Sequence, residues 1–302
     1  MNYQNGENLS SESLQGKSNS SVCVFSLGQY GYDVAFGRAV NTQKTYCDKN
    51  GYDYVCINQD GSELLGRENI WLKAFSFLGA LKNYDYVLYL DTDVEIKETA
   101  PPFLDILSDD RPVGLVAGHS GRVNAGVIYA KRTQFSLTFF SEWVSSLGKP
   151  ISVRHDVGWG ENGHLIRLAE KYCIPLLDTI WNNTFDPNLD DYVRHYTGPL
   201  RREYEFIGDE AIAWSKIQKA LEVSKRSADV DILRSFSELK KVYEKNLQTD
   251  IFASFNSIWE QVRSHVFSGL ETCSVYSDDK TFHSVYIVEN IEEDSRMLML
   301  YR

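Results

Sequence analysis

Two aspartates, Asp91 and Asp93, follow the apolar run YDYVLYL with one threonine between them. On an extended backbone, side chains two apart point to the same side, so these carboxylates converge. Two ionised carboxylates that close repel each other, and either a shared proton or a cation between them relieves the repulsion. Hard oxygen donors suit Mn2+ or Mg2+, which keep open positions for water and phosphate oxygens. The chain carries its own control in Asp229 and Asp231, which have the same spacing but open a helical pattern after SKRS. That second pair reads as a helix N-terminal charge pair.

A third donor comes from much later in the chain. The stretch DDYVRHYTGPLRREYE gathers Arg194, His195, Arg201 and Arg202 around the Gly198-Pro199 turn. In an acidic chain, such an island points to a bound anion. His195 ends a short β-like run at Tyr192 and Val193, and its neutral imidazole is expected to complete the site begun by Asp91 and Asp93.

These residues need a scaffold, and the hydrophobic pattern predicts one. SVCVFSLG is a short apolar run closing on Gly28; a helical stretch with Val34, Ala35, Ala39 and Val40 follows, and GYDYVCIN forms a second strand. ENIWLKAFSFLGALKN places Ile70, Ala74, Phe77, Leu78 and Leu81 at helical spacing before the strand that ends at Asp91. Further strands are expected at VGLVAG and AGVIYAK, with helices at SLTFFSEWVSSL and NGHLIRLAEKY. Alternating strands and helices indicate an α/β fold with a mostly parallel sheet covered on both faces. In such a sheet, ligands sit outside the carboxyl ends of the strands, where Asp91 falls.

The texture differs at the two ends. Residues 1–20 are polar and small with little to bury, and read as a disordered arm. Residues 21–208 form the expected α/β domain. From Asp209, three amphipathic helical patterns follow in succession, and FHSVYIVENIEEDSRMLMLYR reads as a closing hairpin. The section from 209 to 302 is therefore expected to be a helical extension ending in β-structure, able to dock a second copy or another partner.

Net charge narrows the function classes. A formal charge of −11 over 302 residues argues against a nucleic-acid binder, which needs a surplus of Lys and Arg to neutralise phosphates. The five cysteines are scattered without CxxC spacing, so neither a zinc site nor a disulfide framework is indicated, and a reducing compartment fits. No signal-peptide pattern opens the chain and no apolar run reaches the ~18 residues of a membrane span, so a cytoplasmic protein without a transmembrane segment is expected.

In order, Trp71 and Lys73 on a helix, YDYVLYLDTDVEI, NAGVIYAKRTQFS, ENGHLIRLAEKYCIPLLDTIWN and HYTGPLRR resemble the landmarks of retaining GT-A glycosyltransferases. The resemblance is nearest to family eight, the glycogenin and bacterial galactosyltransferase group, and extends to the α-galactosyl- and α-xylosyltransferases of family thirty-four. It covers about residues 21 to 205. It implies a Rossmann-like GT-A fold, a nucleotide-sugar donor, UDP-hexose above all, and a carbohydrate or glycan acceptor. Asp91 and Asp93 match the DxD motif that holds Mn2+ on the donor diphosphate. His195, Gly198 and Arg201 match the His, Gly and Lys of the His-x-x-Gly-x-x-Lys-Pro-Trp element, while Arg202 and Glu203 depart from its Pro-Trp. Asn124 and Gly126 match an Asn-x-Gly segment lining the sugar pocket, and Lys73 a basic residue that reaches the donor. Glu161 and Asn162 stand where an Asp-Gln pair opens the following helix, with His155-Asp156 the other candidate equivalent. Tyr30 is a candidate for stacking on the base. The family transfers with retention and a front-face mechanism is the default, so no nucleophile is assigned; Glu161 and Asp156 are candidates for orienting the acceptor.

Two rivals remain at this level. VLYLDTDVEI also fits a haloacid-dehalogenase-like phosphatase, whose first aspartate would be a nucleophile. Such a motif normally stands near the start of its domain, whereas here a βαβ unit and a further helix precede it. The other rival is a non-catalytic GT-A-like scaffold whose C-terminal helices bind a partner.

Overall fold

The computed structural model describes residues 20–28, 31–57, 70–146, 149, 151–157, 160–224, 273–278, 283–288 and 296–301. Its centre is a five-stranded sheet with strand order β2-β1-β3-β6-β5: β1 (Val22–Leu27), β2 (Asp53–Ile57), β3 (Tyr86–Leu90), β5 (Val113–Gly114) and β6 (Val127–Lys131). β1 pairs in parallel with both β2 and β3, whereas β6 runs antiparallel to β3 and to β5. Four of the five strands therefore point the same way, and the fold is mixed α/β as expected. VGLVAG supplies only the two-residue β5, because Val116 and Ala117 pair with Leu177 and Val123 in isolated bridges instead.

The central strand β3 is apolar from Tyr86 to Leu90 because both faces of the sheet are covered there. Cys23 and Phe25 of β1, Val87 and Tyr89 of β3, and Ile128 and Ala130 of β6 face one side. There they meet α3 (Leu72–Asn83), α4 (Gln134–Val144) and α5 (Gly160–Lys171), with Phe77 and Phe140 rings 4.4 Å apart. The alternate residues Val22, Val24, Leu88, Leu90 and Tyr129 pack on the other face against Tyr46 and Cys47 of α2 (Gly37–Asn50) and against Phe103 and Trp181. α4 begins where Thr133 and Ser136 form a reciprocal capping box, two residues before the apolar pattern alone would start it. α5 starts at Gly160, so Glu161 and Asn162 stand in its first turn.

A two-stranded ribbon sits at the carboxyl edge of the sheet. β4 (Val94–Ile96) pairs antiparallel with β7 (Val193–His195), placing Val94 opposite His195. A 3-10 turn, Gly198–Glu203, leads to α6 (Asp209–Ser224). Trp214 and Ile217 of α6 pack with Tyr204 and Phe206 on Phe36 and on Tyr32 of α1 (Tyr32–Ala35). Glu210 anchors the start of α6 by accepting from the Arg38 amide and its Nε, each at 2.9 Å, and from the Tyr204 hydroxyl.

β9 (His283–Val288) and β10 (Arg296–Tyr301) form the expected antiparallel hairpin, joined by β8 (Cys273–Asp278) on the far side of β9. The β8 segment, with only Val275 and Tyr276 as strong strand formers, gave no strand signal. The expected second and third C-terminal helices and the arm at 1–19 lie outside the described residues. No helix among the described residues is long and apolar enough to cross a membrane.

Candidate functional site

The end of β3 is fixed from both sides before any functional side chain is considered. The Asp91 amide donates to the Gly126 carbonyl at 2.7 Å, continuing the β3–β6 ladder by one step. Buried Gln43 of α2 donates through Nε2 to the Asp91 carbonyl at 3.0 Å and to the Val94 carbonyl at 2.7 Å. Its own oxygen accepts from Ser26 and Tyr54. A fully used amide thus pins the turn that separates the two aspartates.

The β4–β7 ladder brings the third group. The Tyr196 amide donates to the Asp93 carbonyl at 2.8 Å, and the His195 amide to the Asn183 carbonyl at 2.8 Å. The His195 side chain, 2% exposed, directs Nε2 to 3.1 Å from Asp93 Oδ1 and 3.8 Å from Asp91 Oδ2. One donor atom from each of Asp91, Asp93 and His195 lies within 4.8 Å of the others. Two carboxylate oxygens and an imidazole nitrogen make a donor set suited to Mn2+ or Mg2+, with coordination positions left for other oxygens. Gly126 makes room for this grouping: a Cβ there would stand 2.1 Å from His195 Cε1 and 2.7 Å from Asp91 Oδ2.

Behind Asp91 lies a buried charge cluster. Lys73 Nζ is 3.3 Å from Asp91 Oδ1 and 3.4 Å from Glu161 Oε1, and lies over the Tyr89 ring at 4.9 Å. The Tyr89 hydroxyl donates to Asp91 Oδ1. Burial works to lower the Lys73 pKa, but Asp91 and Glu161 outweigh it and hold the ammonium above the ordinary lysine value. Burial raises the Glu161 carboxyl, with Lys73 pulling against it and Asp91 adding to it. Glu161 Oε2 finds no hydrogen-bond partner among the described residues, and the Glu161 carbonyl accepts from Trp143 Nε1.

Asp93 faces different company. Arg201 Nη2 lies 2.6 Å from Asp93 Oδ2. Burial pushes the Asp93 carboxyl up, and His195 first and Arg201 second reverse this, leaving its pKa below the usual carboxylate value. The Arg201 guanidinium packs against the touching Phe36 and Trp214 rings, 4.7 and 5.1 Å from their centroids. Gly198, at φ +49°, starts the turn that carries Arg201, and a Cβ there would press within 2.9 Å of the His119 ring. Of the other arginines in the island, Arg194 is committed to Asp191 at 2.8 Å and Arg202 is exposed beside Glu203.

The remaining sequence candidates divide. Asn124 Oδ1 accepts from the Gly126 amide at 3.0 Å and from Asn182 Nδ2 at 3.1 Å. Asn162 Oδ1 accepts from the Ala125 amide at 2.7 Å, so Asn162 shapes the loop before β6. Asp156 lies in the 151–157 turn, with its carbonyl accepting from Arg122 at 3.0 Å and its amide donating to Ser152. Tyr30 lies outside the described residues. Sequence reasoning missed Gln43, Tyr89, Asn182 and the rings around Arg201. A signal existed for Gln43, a polar residue within the buried stripe Ala39, Tyr46 and Cys47 of α2.

No protein-family model and no curated protein matches the chain. Among solved structures, it is similar to a glycosyltransferase involved in the glycosylation of the major capsid of PBCV-1, at 14% identity and TM-score 0.45, over 65% of this chain and 99% of that one. It is also similar to the glycosyltransferase GlyE of Streptococcus pneumoniae TIGR4, at 18% identity and TM-score 0.44, over 75% of this chain and 64% of GlyE. A third similarity is to the galactosyltransferase LgtC in complex with donor and acceptor sugar analogues, at 15% identity and TM-score 0.41, over 70% of this chain and 98% of LgtC.

Proposed function

We propose that this chain is a metal-dependent GT-A glycosyltransferase that moves a hexose from a UDP-sugar to a carbohydrate or glycan acceptor with retention of configuration. The observation that carries the reading is the convergence of Asp91, Asp93 and His195 within 4.8 Å at the carboxyl end of β3. The sequence resemblance to family eight, which includes these three residues and extends over about residues 21 to 205, supports it.

Asp91, Asp93 and His195 would hold Mn2+ or Mg2+, which supplies neutralisation of the charge that grows on the leaving diphosphate. Arg201 is placed beside Asp93 to add a second positive charge, and its fork binds a phosphate oxygen pair better than an ammonium would. Lys73 contributes through Asp91, whose Oδ1 it contacts at 3.3 Å. In the transfer, the bond from the anomeric carbon to the phosphate oxygen breaks with its electron pair leaving on the diphosphate. The acceptor hydroxyl forms the new bond on the same face, and its proton passes to the departing phosphate oxygen. Asn124 and Gly126 border the sugar, and Asn162 supports that loop. Glu161 and Asp156 are the candidates for orienting the acceptor.

A panel of UDP- and GDP-sugars with Mn2+, read as nucleoside diphosphate release, tests the reading. Release from a UDP-hexose that disappears in Asp91→Asn/Asp93→Asn supports it. Unchanged turnover in the double variant removes the metal assignment, and phosphate release from a generic aryl phosphate without any nucleotide sugar favours the phosphatase.

A further inference from the structure

The polar contacts behind His195 carry an inference that deepens this reading and rests on it. We propose that Asn182, oriented by Asn124, is a positioning residue that keeps the ring proton of His195 on Nδ1 and so reserves the Nε2 lone pair for a divalent cation.

The Gly126 N–H is a donor and meets the Asn124 side chain at 3.0 Å, so the Asn124 atom facing it is the amide oxygen. That same oxygen receives the Asn182 side chain at 3.1 Å, which must therefore present its NH2 group. The Asn182 oxygen is then turned the other way, 3.1 Å from His195 Nδ1. An amide oxygen only accepts, so Nδ1 carries the hydrogen. Nε2, on the opposite side of the ring, is the nitrogen that faces Asp93 Oδ1 and Asp91 Oδ2.

Burial makes the wiring hold. Asn182 is fully buried, and its amide has a partner at each end, so turning it over would place NH2 against Nδ1–H and oxygen against oxygen. Gly126 closes the circuit, since its amide sets the relay and its missing side chain leaves space for the ring the relay orients. A group that donates or accepts behind a ligating histidine fixes both the ring's tautomer and its direction.

The test uses the full chain and Mn2+ alone, with binding followed by the electron paramagnetic resonance of free Mn2+. Asn182→Leu, which keeps the branch at Cγ but removes the acceptor, is expected to weaken Mn2+ binding by roughly 10–100-fold. Asn182→Asp keeps an oxygen for Nδ1–H and is expected to stay within about threefold of wild type. A merely structural role predicts the reverse, because Asn182→Asp buries a charge and loses the donor to Asn124; equal losses in the two variants overturn the proposal. Should Asn182→Leu fail to fold, nitrogen-15 spectra of the metal-free wild-type protein at about pH 8 decide the matter. A His195 resonance protonated at Nδ1, identified by its loss in His195→Gln, supports the relay, and a ring protonated at Nε2 overturns it. Wild-type protein that binds no Mn2+ overturns the site reading and the relay with it, whereas wild-type binding with indifferent Asn182 variants overturns the relay alone.

Discussion

Asp91 and Asp93 are two residues apart, yet their surroundings differ in kind. On one side Asp91 backs onto a closed compartment in which Lys73 of α3 serves both Asp91 and Glu161 of α5 and Tyr89 of β3 donates to Asp91, while its other oxygen faces His195. Asp93 faces groups delivered by the chain more than a hundred residues later, His195 on β7 and Arg201 on the following turn. The Arg201 side chain is 31% exposed, against 8% for Lys73. The closed side gathers two carboxylates around one buried cation, while the open side carries its cation on a partly exposed side chain. Fold stability should therefore depend on the first and ligand binding on the second.

The sharpest way to break that division is Lys73→Met, which leaves Asp91 and Glu161 without their shared cation. Removing one member of a buried charge group costs about 3–5 kcal/mol, and urea unfolding should show a loss of that size. A change below ~1 kcal/mol would mean that Lys73 does not hold the two carboxylates together.

One turn further along α5, His164 extends the contrast within the closed side. It is buried, with Nε2 3.0 Å from the Lys149 carbonyl, and burial, helped by Arg167 and Lys149, holds its pKa down to about 4 from 6.5. The unfolded chain then binds the extra proton between those values, so this contribution is complete above pH 6.5 and is lost as pH falls toward 4. Its full extent is about 3 kcal/mol. Denaturation curves between pH 7 and 4 should show the decline, flattened in His164→Leu; the same slope in the variant would refute the assignment.

On the open side, Gly126→Ala should push a methyl group against His195 and weaken Mn2+ binding by about thirtyfold, or ~2 kcal/mol. The unfolding midpoint should move far less than the calorimetric affinity. Arg201→Ala is expected to lower UDP affinity in the presence of Mn2+ by about tenfold, ~1.4 kcal/mol. Because its guanidinium is partly solvated, the stability change should stay under ~1 kcal/mol. Equal effects on UDP affinity and stability would dissolve the division between the sides.

The same division separates what the sequence reveals from what it conceals. The run Tyr86 to Leu90 followed by Asp91 announces a buried strand ending at a rim, because burial on both faces leaves an unbroken apolar signature. His195 could be proposed because β-like residues precede it and a two-carboxylate site needs another donor. Lys73 could have been an exposed helix lysine, and its burial followed only from α3 being covered almost all round. Gln43 and Asn182 act through amide contacts across distant segments, and no periodicity encodes which amide will meet which carbonyl. The cage around Arg201 was hidden for a similar reason, since Trp214 reads as one apolar position on an amphipathic helix.

The β4–β7 ribbon is only three residue pairs long and ties together segments on either side of α4 and α5. Closing so large a loop costs chain entropy that three pairs return poorly. An ion held by Asp91 and Asp93 just before β4 and by His195 of β7 would act as a buckle on that loop, adding about 2.7 kcal/mol at a hundredfold excess over its dissociation constant. Deuterium uptake at the His195 and Tyr196 amides would then register occupancy by a cation, long before any sugar is supplied.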